Sequence, residues 1–215
     1  MNDDLLSSVE PVIAQLDATN AAREIALVTS RGLIRQCANT IRAIHRHAWT
    51  DAEALLSGAA TTAGELRERL RAYPAIFHAG YTQDACKEYA EAALTLALVQ
   101  GRPLPPALAL GVEPAAYLNA LAEAASELRR FLLDGLRKGE MDEGERLLAA
   151  MDDIYSLLVT VDYPDAVTGG LRRTTDALRA VLERTRGDLT TTLRQEQLVA
   201  ALRRVEVRLL DSEQP

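Results

Sequence analysis

From about Asp4 to His47 the apolar residues return at helical spacing, and Pro11 is the only interruption. A proline there is tolerable in a first turn or as a kink. The stretch predicts one very long helix, and such a helix has to bury its apolar stripe against others. Composition agrees with it: Ala, Leu, Arg and Glu dominate, Val, Ile, Phe and Tyr are few, and aromatics make up 4%. That mixture suits helices and not strands. With 48% hydrophobic and 26% charged residues, disorder and collagen-like repeats are excluded. The expected fold is all-α, a single domain over 1–215, long enough to bury roughly 70% of its unfolded surface.

Breakers divide the rest of the chain. Thr50 followed by Glu53 fits a capping box opening a second helix that ends near Tyr73-Pro74. A third helical stretch, broken at Gly80, runs to Gly101. The segment GRPLPPALALGVEP carries four prolines and reads as the main interruption, with Pro114 as first residue of a fourth helix. That helix extends to about Lys138-Gly139, and a fifth covers roughly Asp142 to Val161 before Tyr163-Pro164. A sixth starts weakly at Gly169-Gly170 and ends at Arg186-Gly187; Asp188 caps a seventh reaching about Leu210. Seven helices with short connections predict a bundle.

The net charge of -7 and pI near 5.1 argue against a surface uniformly positive for nucleic acid, although one concave face can differ from the whole. Cys37 and Cys86 lie far apart and read as buried reduced thiols. The N-terminus is acidic where a signal peptide would be basic, and no apolar run is long enough for a membrane span. A cytoplasmic location and no membrane association are the expectation.

Charge is unevenly spread. Between Glu24 and Asp51 there is no acidic residue, where average density would place about four. Arg31, Arg35, Arg42 and Arg46 fall there within roughly 60° of one another on a helix face and span about 22 Å of its axis. Planar guanidinium groups suit phosphate oxygens, so this is a candidate track for a polyanion. A solvated face, or partners for acids on a neighbouring helix, would give the same pattern. His45 and His47, two apart, point away from each other and make a poor metal pair.

A second constellation is KEYAEA, residues 87–92, where Glu88 and Glu91 share a helix face. Glu123 and Glu127 share a face in LAEAASELRR. If the two helices are antiparallel neighbours, four carboxylates converge, and their repulsion implies a divalent cation or unusually high pKa values. Oxygen-only ligands favour Mg²⁺ or Mn²⁺. A ferritin-like di-iron site fails, because it needs Glu-x-x-His and none of the three histidines lies three after a Glu. Glutamates so spaced are also common on solvated helices, but Ala90, Ala92, Ala93, Ala122, Ala124 and Ala125 would let the backbones approach closely. No phosphate loop, Gly-x-Ser-x-Gly or Cys-His pair is present.

These islands resemble the translin family, on the side of its catalytic branch, the translin-associated factor X type. SRGLIRQCANTIRAIHR, residues 30–46, resembles the first-helix pattern of Ser-Arg closing on Leu-His-Arg. KEYAEA resembles the QEYVEA-type motif, and ASELRR after Tyr117 the GELMR-type segment. The resemblance implies nuclease metal ligands at Glu88, Glu91 and Glu123, with Glu127 as a nearby fourth; Glu123 stands where the family typically has Asp. It also implies a hollow homo-oligomer, an octamer, with active sites inside, acting on single-stranded RNA and sometimes single-stranded DNA. The Arg31 to Arg46 stripe would face its cavity.

The expected activity is then a Mg²⁺- or Mn²⁺-dependent endoribonuclease. Glu88, Glu91 and Glu123 hold the metal, and Glu127 orients water or acts as general base. Arg130 contacts the scissile phosphate, while Arg31, Arg35, Arg42 and Arg46 hold the strand without reading bases. Scarce aromatics suggest weak sequence preference. The alternative is a helical nucleic-acid-binding or scaffold protein that assembles without cleaving.

Overall fold

The first helix forms as its periodicity demands: α1 runs Asn2–His45 and passes through Pro11 without ending. Its buried positions Ala22, Ala26, Leu33, Cys37 and Ile44 are spaced by fours and sevens, one stripe of a helix. A Schellman turn ends it. The amide of Ala48 donates to Ala43 at 3.0 Å and that of His47 to Ile44 at 2.9 Å, with His47 in the left-handed region at φ 57°.

The computed structural model describes residues 2–212. After α1 come α2 (Trp49–Arg69), α3 (Pro74–Phe77), α4 (Gly80–Val99), α5 (Ala107–Leu110), α6 (Pro114–Leu136), α7 (Met141–Leu158), α8 (Asp165–Thr168) and α9 (Leu171–Ser212). The described residues contain no strand, so the all-α reading holds. Its division into seven changes, because three four-residue helices occupy the breaks and the last two expected helices are one.

The capping box does not form. α2 begins at Trp49, one residue before Thr50, and Ala48 at its N-cap makes no side-chain cap bond. Aromatic packing holds this corner instead, with the rings of His47 and Trp49 5.3 Å apart and those of His47 and Phe131 4.7 Å apart.

α1 packs on α2 and α4, α4 on α6, and α6 on α7 and α9. The α4/α6 contact positions the site, and the two helices run parallel where the sequence suggested antiparallel neighbours. Lys87 of α4 meets Glu123 of α6, Glu91 one turn on feels Glu127 one turn on, and the N-terminal ends of both helices line one cavity. The proline-rich segment makes this possible. Residues 100–113 can reach about 40 Å even with one helical turn, against about 30 Å for α4, so the chain returns to the start of α4 before α6 begins. Tyr117 tethers the crossing by donating to the Pro105 carbonyl at 3.0 Å, and Arg67 donates to Gly111 at 3.0 Å. On the two helices Ala90, Ala92, Ala122, Ala124 and Ala125 are buried.

At Gly187 the sequence suggests a break, but α9 continues through it. A glycine inside a helix costs only about 1 kcal/mol, and packing on both sides outweighs that. Leu182 and Leu189 are buried, Arg186 pairs with Asp152 of α7 at 2.6 Å, and Asp188 pairs with Arg129 of α6 at 2.7 Å instead of capping a helix. Beyond the bundle, α1 exposes Leu5, Leu6, Val9, Val12, Ile13 and Leu16, and α9 exposes Leu198, Leu202, Val205 and Leu209.

Gly187 has a helical backbone with open space where a Cβ would stand. Gly187→Ala should therefore raise thermal-unfolding stability by about 0.5–1 kcal/mol, and Gly187→Pro should lower it by about 3 kcal/mol or more. A neutral or destabilising alanine would mean that α9 breaks there in solution.

Candidate functional site

Three glutamates from the parallel pair come together: Glu88 and Glu91 of α4 and Glu123 of α6 offer carboxylate oxygens that all lie within 4.8 Å of one another. Each pair is placed by the helical repeat, three residues apart on α4 and four on α6. The four acids differ in depth. Glu91 is buried, whereas Glu88, Glu123 and Glu127 are about one-third exposed in their side chains. The cluster is thus a shallow acidic cup with Glu91 at its floor.

Burial and repulsion act on these groups as the sequence reading requires. Glu91 is pushed up to about 8, first by burial and then by the negative charges of Glu88, Glu123 and Glu127. Glu88 is also raised, by burial above all, with Lys87 opposing and Glu123 reinforcing. No hydrogen bond or ion pair reaches the Glu91 carboxylate among the described residues, so the deepest acid carries the largest penalty for its charge.

Two cationic or potentially cationic neighbours escaped the sequence reading. Lys87 donates to Glu123 Oε2 at 2.5 Å and lies 3.6 Å from Glu88 Oε1. Burial pulls the pKa of its ammonium down, but the Glu123 hydrogen bond and the surrounding carboxylates outweigh this and leave it raised. The signal was present: Lys87 is one of only two lysines in the chain and sits inside the acidic motif. His45, dismissed as half of a metal pair, points its buried ring across to α6, with Nε2 2.7 Å from Glu127 Oε2. No pattern within α1 could have identified that partner.

The donor set suits a hard dication. A Mg²⁺ ion bound at about 2.0–2.1 Å holds neighbouring ligand oxygens about 3 Å apart and opposite ones about 4.2 Å apart, so oxygens gathered within 4.8 Å of one another draw together by up to about 2 Å to share one ion. The buried Glu91 lacks a donor that a cation would replace. All three ligands are oxygens, as Mg²⁺ or Mn²⁺ prefers.

The arginines divide. Arg31, Arg35, Arg42 and Arg46 are all exposed, and no carboxylate pairs with any of them among the described residues; Arg42 donates only to Asn39, at 2.5 Å. Partnership with acids on a neighbouring helix is therefore not what the stripe does in this chain. Arg130 is exposed on α6, whereas its neighbour Arg129 is tied to Asp188 and donates to Thr185 at 3.1 Å. Cys37 and Cys86 are buried free thiols. Burial, then Glu88 and Glu91, push Cys37 up to about 12, which leaves it inert as a nucleophile.

No family model matches the chain. It is 29% identical over 202 residues to an uncharacterized protein of Methanocaldococcus jannaschii, an alignment covering 92% of this chain and 88% of that one. Among solved structures it is similar to AfC3PO, with a TM-score of 0.81 and 31% identity over 87% of this chain and 98% of that one. It is likewise similar to AfC3PO in complex with duplex RNA, with a TM-score of 0.77 and 32% identity over 87% and 97%. Apo-NeC3PO matches at a TM-score of 0.77 but 18% identity, over 86% and 96%, and speaks for the fold alone. Since C3PO chains are of the translin type and the identity to AfC3PO runs over nearly the whole length, the protein belongs to the translin family.

Proposed function

We propose that this chain is a divalent-metal-dependent endoribonuclease, with single-stranded RNA as substrate. The observation that carries the reading is the gathering of Glu88, Glu91 and Glu123 oxygens within 4.8 Å around a buried carboxylate. Solvation does not explain such a placement, because each charge raises the cost of the others. Kinship with AfC3PO, which has been solved with duplex RNA, supports RNA as the class of ligand.

In this reading Glu88, Glu91 and Glu123 hold Mg²⁺ or Mn²⁺. When bound, the cation supplies water activation and stabilises charge developing on the phosphoryl group. Glu127 stands at the rim with one oxygen fixed by His45, which leaves the other to orient the attacking water or accept its proton. Arg31, Arg35, Arg42 and Arg46 hold the phosphates without reading bases, and Arg130 steadies the scissile phosphate. Glu123, one methylene longer than aspartate, reaches the cup with its oxygen already beside Lys87. The exposed apolar residues of α1 and α9 would be buried in a homo-oligomer, with an octamer as the assembly proposed, whose interior would collect the arginine stripe.

The activity test is cleavage of labelled single-stranded and duplex RNA with Mg²⁺ or Mn²⁺, with chelator, and by Glu88→Ala plus Glu91→Ala. Cleavage should stop with chelator and fall by at least roughly 10²-fold in the double variant. Activity indifferent to the substitutions would refute the assignment, and RNA binding without cleavage under any divalent ion would favour the scaffold. A second test uses protonation. The fold raises Glu91 from 4.5 to about 8, so the native state holds a proton that the unfolded chain releases, and metal-free stability falls as pH rises from about 4.5 towards 8. Glu91→Gln should therefore stabilise the metal-free protein at pH 7 by on the order of 2–3 kcal/mol, with the difference vanishing below the unfolded pKa. A difference independent of pH would mean that Glu91 is not charged against a cost.

A further inference from the structure

Lys87 stands apart from every other cation near the cup. Its Nζ touches Glu123 Oε2 at 2.5 Å and lies 3.6 Å from Glu88 Oε1, and both glutamates belong to the three-carboxylate group. A compact ammonium on a flexible stem fits between two carboxylates in a way that a planar guanidinium does not.

A cation taking Glu123 Oε2 as a ligand at about 2.1 Å would lie no more than about 4.6 Å from Nζ at its present position. Two positive charges so close in a half-buried cup repel strongly, and they compete for the same oxygen lone pairs. The ammonium has somewhere to go. Lys87 also lines a cavity of about 630 Å³ whose wall carries two further acids, Asp84 and Glu113. Asp84 lies one turn earlier on the same helix, within ordinary reach of a lysine.

We propose that Lys87 is the acidic cup's own counter-ion, a positioning residue that holds Glu88 and Glu123 together and that a divalent cation must displace towards the neighbouring cavity in order to bind. The inference rests on the metal-binding reading of the cup and sets the strength of that binding. Lys87 lowers apparent affinity for the cation, because part of the binding free energy goes into exchanging one positive group for another. It also keeps the carboxylates gathered in the absence of metal.

The test is Mn²⁺ titration of the intact protein, followed by the electron paramagnetic resonance signal of free Mn²⁺, for the wild type, Lys87→Gln, Lys87→Arg and Glu91→Gln, at low and high salt. Lys87→Gln should bind Mn²⁺ at least roughly tenfold more tightly than the wild type, equivalent to about 1.4 kcal/mol. Lys87→Arg, retaining the charge, should stay closer to the wild type. The ratio should survive high salt, because contact competition is not screened as a distant field is. Equal affinities for wild type and Lys87→Gln, with Glu91→Gln defective, would overturn the exchange while leaving the metal site standing. A ratio that collapses in high salt would also overturn it, by reducing Lys87 to a general field. Failure of all four proteins to bind Mn²⁺ would remove the metal reading and the exchange with it.

Discussion

Carboxylates crowded at the edge of a protein core resist being charged, and the contact between α4 and α6 imposes that crowding. The two helices pack against each other, and parallel alignment puts the Glu88 and Glu91 turns beside the Glu123 and Glu127 turns. The proline-rich crossover is thus part of the site as much as any ligand, since it returns the chain to the start of α4 before α6 begins.

Three partners answer the strain in different ways. Lys87 neutralises part of the charge at the mouth, His45 fixes the orientation of Glu127 from α1, and Glu91 at the floor, which feels the Lys87 charge without pairing to it, is pushed up to about 8 by burial and the neighbouring carboxylates. The proposed exchange of cations rests on these two features, an unpaired acid at the base and an ammonium at the rim. In the proposed function the exposed arginines of α1 supply the complementary character, attraction for a phosphate chain, in a protein whose overall charge is -7.

The elements carried by periodicity were legible in the sequence. The spacing of Leu33, Cys37 and Ile44 marks α1, Pro114 starts α6 as a proline should, and the two glutamate pairs occupy faces that a helix places side by side. What local pattern hid was long-range. Gly187 and Asp188 have the chemistry of a break and a cap, yet contacts to Asp152 and Arg129 decide the matter. Thr50 and Glu53 have the letters of a capping box, but the Schellman turn at His47 and the packing of Trp49 set the helix start one residue earlier. The direction of α6 relative to α4 is written in a loop whose course no helical period encodes, and His45 becomes meaningful only once its ring meets Glu127 of α6. Lys87 was legible as an oddity, a rare lysine within an acidic motif, but not as an ion bridging two helices.

The most direct measurement is a crystal soaked in Mn²⁺ and recorded for anomalous scattering. One strong peak is expected among Glu88, Glu91 and Glu123, within about 2.0–2.3 Å of an oxygen from each, with the Lys87 ammonium withdrawn from Glu123. Full Mn²⁺ occupancy elsewhere, with Glu88 and Glu123 still bridged by Lys87 and no anomalous density among the three carboxylates, would contradict it.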